Sequence, residues 1–436
     1  MIRLGVLGAL LIGLTMAALS LHEPWALSIG SIELKTRWVV LAGISAAVYL
    51  AAVWLVTHRI APRHAVWLVL GVAAVLRVPL ILAPSFLSTD VNRYVWDGRV
   101  QAAWINPYRY LPVDPALESL RDAEVYPWIN RAEYAKTIYA PMAELVFAAV
   151  GFVWSSVSGM KAAVVAFEIL AVICLLRLLV LAGLPAERVM IYAWNPLPVW
   201  DFAGSGHADG ISIGLIAAAL LMRARRRDGF AGMLLGMAML VKFLPAVVAP
   251  VLWRRRFGWR MAAAAVVTVL ALYGVYSGVG WGVFGFLQGY GDEEGYASGS
   301  GFWLLAGLSR VMPLMPWMAV VYKVCVVALL GALGLWFAFV RRPDDPVALC
   351  AAAGVMMAVL TFAISPHYPW YFGWLAVPAV LAPSPALVWL SAAPILLYLD
   401  TFGDRFVWPS VVYVPTLLLA ACGLLRAPRP ALVKGI

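Results

Sequence analysis

The sequence predicts an all-α polytopic transmembrane helical bundle, and three observations carry that prediction. Of 436 residues, 64% are hydrophobic and only 12% are charged, with a mean hydropathy of +0.89. A soluble domain of this size could not bury that much apolar surface. Several apolar runs approach or exceed the roughly 18–20 residues that cross a bilayer, and the two-residue alternation of a membrane β-barrel is absent.

In order, the expected spans lie near 4–21, 38–57, 65–83, 141–157, 161–182, 190–225, 230–252, 261–281, 317–340, 346–364, 370–383, 386–400 and 407–425. That is about 11–13 crossings, and the runs 190–225 and 230–252 are interrupted. The whole chain, 1–436, reads as one integral membrane domain, with an extra helical hairpin over 1–64 and an outer loop carrying interfacial helices over 84–140. The first run follows Arg3 and lacks a small-x-small cleavage site before a soluble region, so it is expected to be a retained helix. Cys174, Cys325, Cys350 and Cys422 all fall inside apolar runs and read as small hydrophobes, not as a disulfide or metal set. The net charge of +10 gathers at span ends, as the positive-inside rule requires, so no nucleic-acid partner is expected.

Basic segments fix the expected orientation. Arg3, "HRIAPRH" (58–64), "RRRFGWR" (254–260), "RRPDD" (341–345) and "RAPRPALVK" (426–434) fall inside. The loops carrying Asp90, residues 282–316 and His367 then share the outer face. "RARRR" (223–227) and "RRRFGWR" are both basic, yet only one apolar stretch separates them. With Pro245 as a break, that stretch is expected to enter and return, with Lys242 near its tip. Such backbone survives at depth only against protein or a wet cavity. The Gly-rich, acidic stretch "GVFGFLQGYGDEEGYASGSGFW" (282–303) reads either as a mobile loop over a site or as a solvated connection.

The stretch "LSTDVNRYVWDG" (87–98) stands out in so apolar a chain. Ser88 or Thr89 suits an N-cap, and Asp90 in the first turn complements the helix dipole. In a helix over 89–103, Asp90, Arg93, Tyr94 and Asp97 share one face. An ordinary ion-pair ladder on an interfacial helix explains this spacing, and so does an aspartate held beside a cation to deprotonate a hydroxyl. Lys242 is more pointed, because an intramembrane lysine costs about 3 kcal/mol unless paired or hydrated, although snorkelling to an interface is open to it. His207 and Asp209 in "GSGHADG" look like an acid-and-imidazole pair, but two ligands two residues apart make no metal site. Glu168 and Arg177, nine apart on one helix, point to opposite faces, so each needs another partner. Arg77 is placed either to snorkel outward or to orient Asp90.

"STDVNRYVWDG" followed by "INPYRY" resembles the first outer loop of the C-type glycosyltransferase (GT-C) superfamily, and in particular of bacterial mannosyltransferases that use a polyprenyl-phosphate sugar. "IYAPMAELVF" (138–147), "AWNPLPVWDFAGSGHADG" (193–210), "AGMLLGMAMLVKFLPAVVAP" (231–250) and "SPHYPWYFGWLAVP" (365–378) extend the resemblance in order over most of residues 85–380. The two spans preceding the acidic loop are a departure, since many members carry that loop after their first helix. The resemblance implies an inverting transferase of the inner membrane, with its site facing the exterior and Asp90 as the general base. Its donor would be a polyprenyl-phosphate sugar, most often mannose, and its acceptor a lipid-linked or other glycan. A phosphate-linked sugar brings its own good leaving group, so one carboxylate suffices where glycosidases use two. The leaving phosphate needs donors, for which Arg93, Lys242 and His367 are candidates. Asp97 suits a structural or acceptor-binding role, and Tyr94, His207 and Asp209 are further candidates for substrate binding. Tyr108 and Tyr139 suit either the acceptor groove or interfacial anchoring. No metal or other cofactor is expected. The competing function is a secondary transporter or lipid flippase, which also uses broken helices and buried charge. Here the polar, aromatic-rich segments gather on one face and no internal repeat is visible, which favours an enzyme.

Overall fold

A computed structural model describes residues 1–21, 32–59, 64–85, 87–400 and 403–426. Much of the basic segments 58–64 and 426–434 lies outside the described residues. Among the described residues all regular structure is helical, and eight helices are long and apolar enough to cross a membrane. The protein is a multi-pass integral membrane protein.

Helix α1 (Ile2–Leu19) packs along α2 (Ile32–His58) and α3 (Ala65–Leu82). The chain then turns into α4 (Asp90–Ala102), which lies against α5 (Pro141–Val153). α6 (Val157–Leu181) packs on α7 (Asp209–Ala224), and α8 (Asp228–Met239) lies between α7 and α9 (Gly258–Val275). The short helix α10 (Leu287–Glu293) precedes three further spans, α11 (Pro316–Leu335), α12 (Pro346–Ile364) and α14 (Val407–Arg426). α13 (Pro385–Ala392) packs against α14.

The remaining expected spans are short or broken, and prolines supply the breaks. The stretch 190–225 becomes a single turn at Met190–Ala193, an Asn195-capped turn through Pro196 and Pro198, and a π-turn at Val199–Gly204 before α7 begins. Residues 370–383 form a 3₁₀ segment, Pro369–Leu375, and one turn, Ala376–Ala379. Residues 189–208 are buried throughout, which is the condition for irregular backbone at membrane depth.

The segment 228–254 leaves and returns to the same end of the molecule. Arg254 Nη1 meets Asp228 Oδ2 at 2.8 Å, so the two feet of the hairpin are pinned together. Helix α8 stops at Met239, and 3₁₀ and α turns at Leu244–Val248 and Ala249–Leu252 form the returning arm. The tip docks on the start of α5, where the Met142 amide donates to the Leu240 carbonyl at 2.9 Å. Pro141 at the first position of α5 leaves these amides free for the tip.

Two expectations are corrected. Helix α4 is not an interfacial ladder, because Val91 through Gly98 are all buried. Glycine makes this possible: a Cβ on Gly98 would lie 2.3 Å from the Phe147 carbonyl oxygen, and one on Gly151 would lie 2.2 Å from that of Gly98, so α4 and α5 cross backbone to backbone. Arg77 neither snorkels nor reaches Asp90. Its guanidinium forks onto Glu168 at 2.8 and 3.1 Å and donates to the Ala193 carbonyl at 2.7 Å. Glu168 thus finds its partner on α3, and Arg177 is exposed.

Candidate active site

A cavity of about 590 Å³ opens above the N-terminus of α4. Asp90, Tyr94, Tyr139, Asp209 and Lys242 all line it, and Val241, Phe243, Leu244, Leu287, Ile138 and Ile364 give it a largely apolar wall. Six separate parts of the chain build its polar side: the start of α4, the 127–140 segment, the start of α7, the hairpin tip, residues 290–296 and residues 368–371.

Asp90 enters the cavity because the Ser88 hydroxyl accepts its amide hydrogen bond at 3.2 Å and starts the helix there. The Thr89 side chain makes no cap bond. Asn130 Nδ2 donates to Asp90 Oδ1 at 2.6 Å, and His207 Nδ1 stands 3.7 Å from Oδ2. Burial pushes the Asp90 carboxyl above the usual carboxylate range, against the opposing pull of the Arg131 and Lys242 charges and the Asn130 hydrogen bond. Asp90 is therefore a stronger base than an exposed aspartate.

Lys242 reaches the cavity from the hairpin tip. Its ammonium donates to Asp209 Oδ1 at 2.7 Å and stands 3.3 Å from the centroid of the Tyr371 ring. Asp209 occupies the first turn of α7. A paired, partly hydrated ammonium over an aromatic face meets the cost of an intramembrane cation and still offers donors to an anion. The Tyr371 hydroxyl lies 2.7 Å from that of Tyr290, which ties the cavity floor to α10.

His207 is not the partner of Asp209. The turn ahead of α7 needs Gly206 at φ +72°, and a Cβ there would lie 2.9 Å from the Val91 side chain. This close approach sets His207 beside Asp90, fully buried and stacked on Trp370 at 3.8 Å. The neighbouring ring of Tyr368 stacks on Trp370 at 4.6 Å.

Other expected site residues lie elsewhere. Arg93 and Asp97 form a buried pair at 3.0 Å, Arg93 spends another donor on the Ala135 carbonyl at 3.1 Å, and neither residue lines the cavity. Beside them, Thr137 donates to Glu144 at 2.6 Å, Gln101 donates to Glu144 at 2.8 Å, and Tyr276 donates to Gln101 at 2.7 Å. Tyr108 is buried with its hydroxyl donating to the Tyr139 carbonyl at 2.7 Å and does not line the cavity, whereas Tyr94 and Tyr139 do. His367 does not line the cavity either. It lies 3.3 Å from Glu294, is hydrogen-bonded to Arg405, and faces a separate chamber of about 230 Å³ beyond the wall of Tyr368 and Trp370.

Asn130, Arg131, Tyr290 and Tyr371 belong to the cavity although no sequence spacing marked them. Tyr371 falls inside the "SPHYPWY" segment, and Tyr290 inside the Gly-rich stretch 282–303, which lines the cavity at Leu287, Tyr290, Gly291 and Tyr296. Arg131 is held by Glu293 at 2.7 Å. No group of three or more His, Cys, Asp or Glu side chains among the described residues is arranged to hold a metal ion.

The cavity thus carries a carboxylate at one point and an ammonium at another, within a largely apolar wall. Comparison with curated proteins and with solved structures returned no match. A family model described as alpha-(1→6)-mannopyranosyltransferase, N-terminal domain, matches residues 2–256, more than half of the chain. The chain therefore belongs to the alpha-(1→6)-mannopyranosyltransferase family, and is a hexosyltransferase of that family.

Proposed function

We propose that the protein moves mannose from a polyprenyl-phosphate donor to a primary hydroxyl of a glycan or glycolipid acceptor, with Asp90 as general base, at the outer face of the membrane. The observation that carries this reading is the placement of Asp90 and Lys242 on one apolar-walled cavity. A lipid carrier never leaves the bilayer, which accounts for a transferase built inside one.

Asp90 takes the proton of the acceptor hydroxyl as its oxygen attacks the anomeric carbon. The bond from that carbon to the phosphate oxygen breaks, and its electron pair leaves with the lipid phosphate, which Lys242 neutralises. One displacement inverts the anomeric centre. An alpha product, as the family name describes, then requires a beta-linked donor. Arg131 stands on the same cavity as a second cation for the phosphate. Asp209 holds Lys242 in place before the donor arrives.

Purified protein incubated with synthetic beta-mannosyl polyprenyl phosphate and a panel of mannoside acceptors should give a product one hexose heavier, read by mass. Asp90→Asn should lower kcat by about 10²–10⁴-fold while donor binding and thermal stability stay near wild type. Wild-type turnover in that variant would remove Asp90 as base.

A further inference from the structure

We propose that His207 is a positioning residue for the base: in the substrate-bound enzyme its Nδ1–H donates to Asp90 Oδ2, so that the carboxylate is held from both oxygens. The inference rests on the reading of Asp90 given above.

Three observations place His207 in this role. Its ring is fully buried, yet both ring nitrogens lack a hydrogen-bond partner. Buried polar atoms are almost always paired, so such an orphan asks for an explanation. The nearest charged group to Nδ1 is Asp90 Oδ2 at 3.7 Å, beyond hydrogen-bond range by a few tenths of an ångström. The ring plane is fixed by Trp370, stacked at 3.8 Å and 17°, so its edge is aimed and not free to wander.

The chemistry follows from burial. A fully buried imidazole is neutral, because burial disfavours its charged form. It carries one N–H, and Asp90 is the acceptor within reach. The Asn130 amide already holds Oδ1 at 2.6 Å. A donor on each oxygen fixes the carboxylate plane and leaves one lone pair on each oxygen, in a defined direction, to accept from the hydroxyl. The same bond favours the ionised carboxylate, opposing the burial that disfavours it. The other groups that set the charge state of Asp90 are Arg131, Lys242 and Asp209, with the phenols of Tyr94, Tyr139, Tyr368 and Tyr398 around it. Each of these stays in place when only residue 207 is changed.

The test compares wild type, His207→Phe, His207→Asn and Asp90→Asn, using beta-mannosyl polyprenyl phosphate and a synthetic mannoside. His207→Phe keeps the stack on Trp370 and loses the N–H. It should lower kcat roughly ten- to hundredfold, the loss of one hydrogen bond to a charged group. Both KM values should stay within about twofold, and the acidic limb of the pH profile should move to higher pH. His207→Asn restores a donor and should recover most of the rate and the position of the limb. Wild-type kcat and pH limb in His207→Phe would overturn the proposal. So would a loss confined to KM, or an Asn variant as impaired as the Phe variant. Should His207→Phe fail to fold, His207→Leu is read by the same split. Turnover by Asp90→Asn would overturn the reading of the base itself. An inactive Asp90→Asn beside a normal His207→Phe would remove only the role of His207.

Discussion

Asp90 sits between opposing influences, and its pH behaviour follows from their balance. Burial raises its pKa, while Arg131 and Lys242 lower it. A general base works deprotonated, so a raised pKa moves the loss of activity to higher pH. The rate should therefore fall on acidification with a midpoint above the usual aspartate value of about 3.9, and stay level above it. Arg131→Gln removes a cation that favours the charged form, so it should move the midpoint further up; a pH profile of kcat checks both signs. Lys242→Ala should lower kcat/KM for the donor roughly 10–100-fold, the loss of one charge-assisted contact to phosphate. Unchanged donor kinetics would return Lys242 to a purely structural role. At this scale a polar residue standing in an apolar run is the legible signal, as with Asp90 and Lys242, which line one cavity. The sequence misleads where partners come from far along the chain. The two-residue spacing pairs Asp209 with His207, but the turn at Gly206 sends the two side chains to different partners. Asn130 and Arg131 carry no local signal, and only folding of the 103–140 segment brings them to Asp90.

Among the elements, the α4–α5 crossing is the tightest support of the site. Gly98→Val would drive a side chain into the Phe147 carbonyl and should cost about 1–3 kcal/mol, seen as a lower thermal midpoint in detergent. The buried Arg77–Glu168 pair joins α3 to α6. Arg77→Met alone leaves a buried carboxylate unpaired and should cost about 3–5 kcal/mol, whereas Arg77→Met with Glu168→Leu should recover much of it. Thermal unfolding of the single and double variants gives the coupling. Proline made the broken spans legible in the sequence. The burial of α4 was not legible, because its polar residues read locally as a ladder facing water. Their partners, Ala135 and Glu144, sit more than forty residues on.

At the scale of the molecule, the described residues hold eight long apolar helices around a buried core of broken segments. Membership of a mannosyltransferase family replaces the transporter reading, which the broken helices alone left open. Exposed positions 256 and 292 flank α9 and offer a test of which way the cavity opens. In a background with all four cysteines replaced, Asp292→Cys should react with an impermeant thiol reagent from outside, and Arg256→Cys only after permeabilisation. The reverse pattern would turn the cavity to the cytosol. The hairpin over 228–254 carries a last consequence. Its feet are fastened at Asp228 and Arg254, and its tip is moored on α5. The height of the Lys242 ammonium is thus a fixed coordinate, which one added helical turn in α8 would shift by about 5.4 Å. On the proposed reading, the hairpin gauges the level at which the donor phosphate floats, and turnover should change little with the length of the tail beneath it.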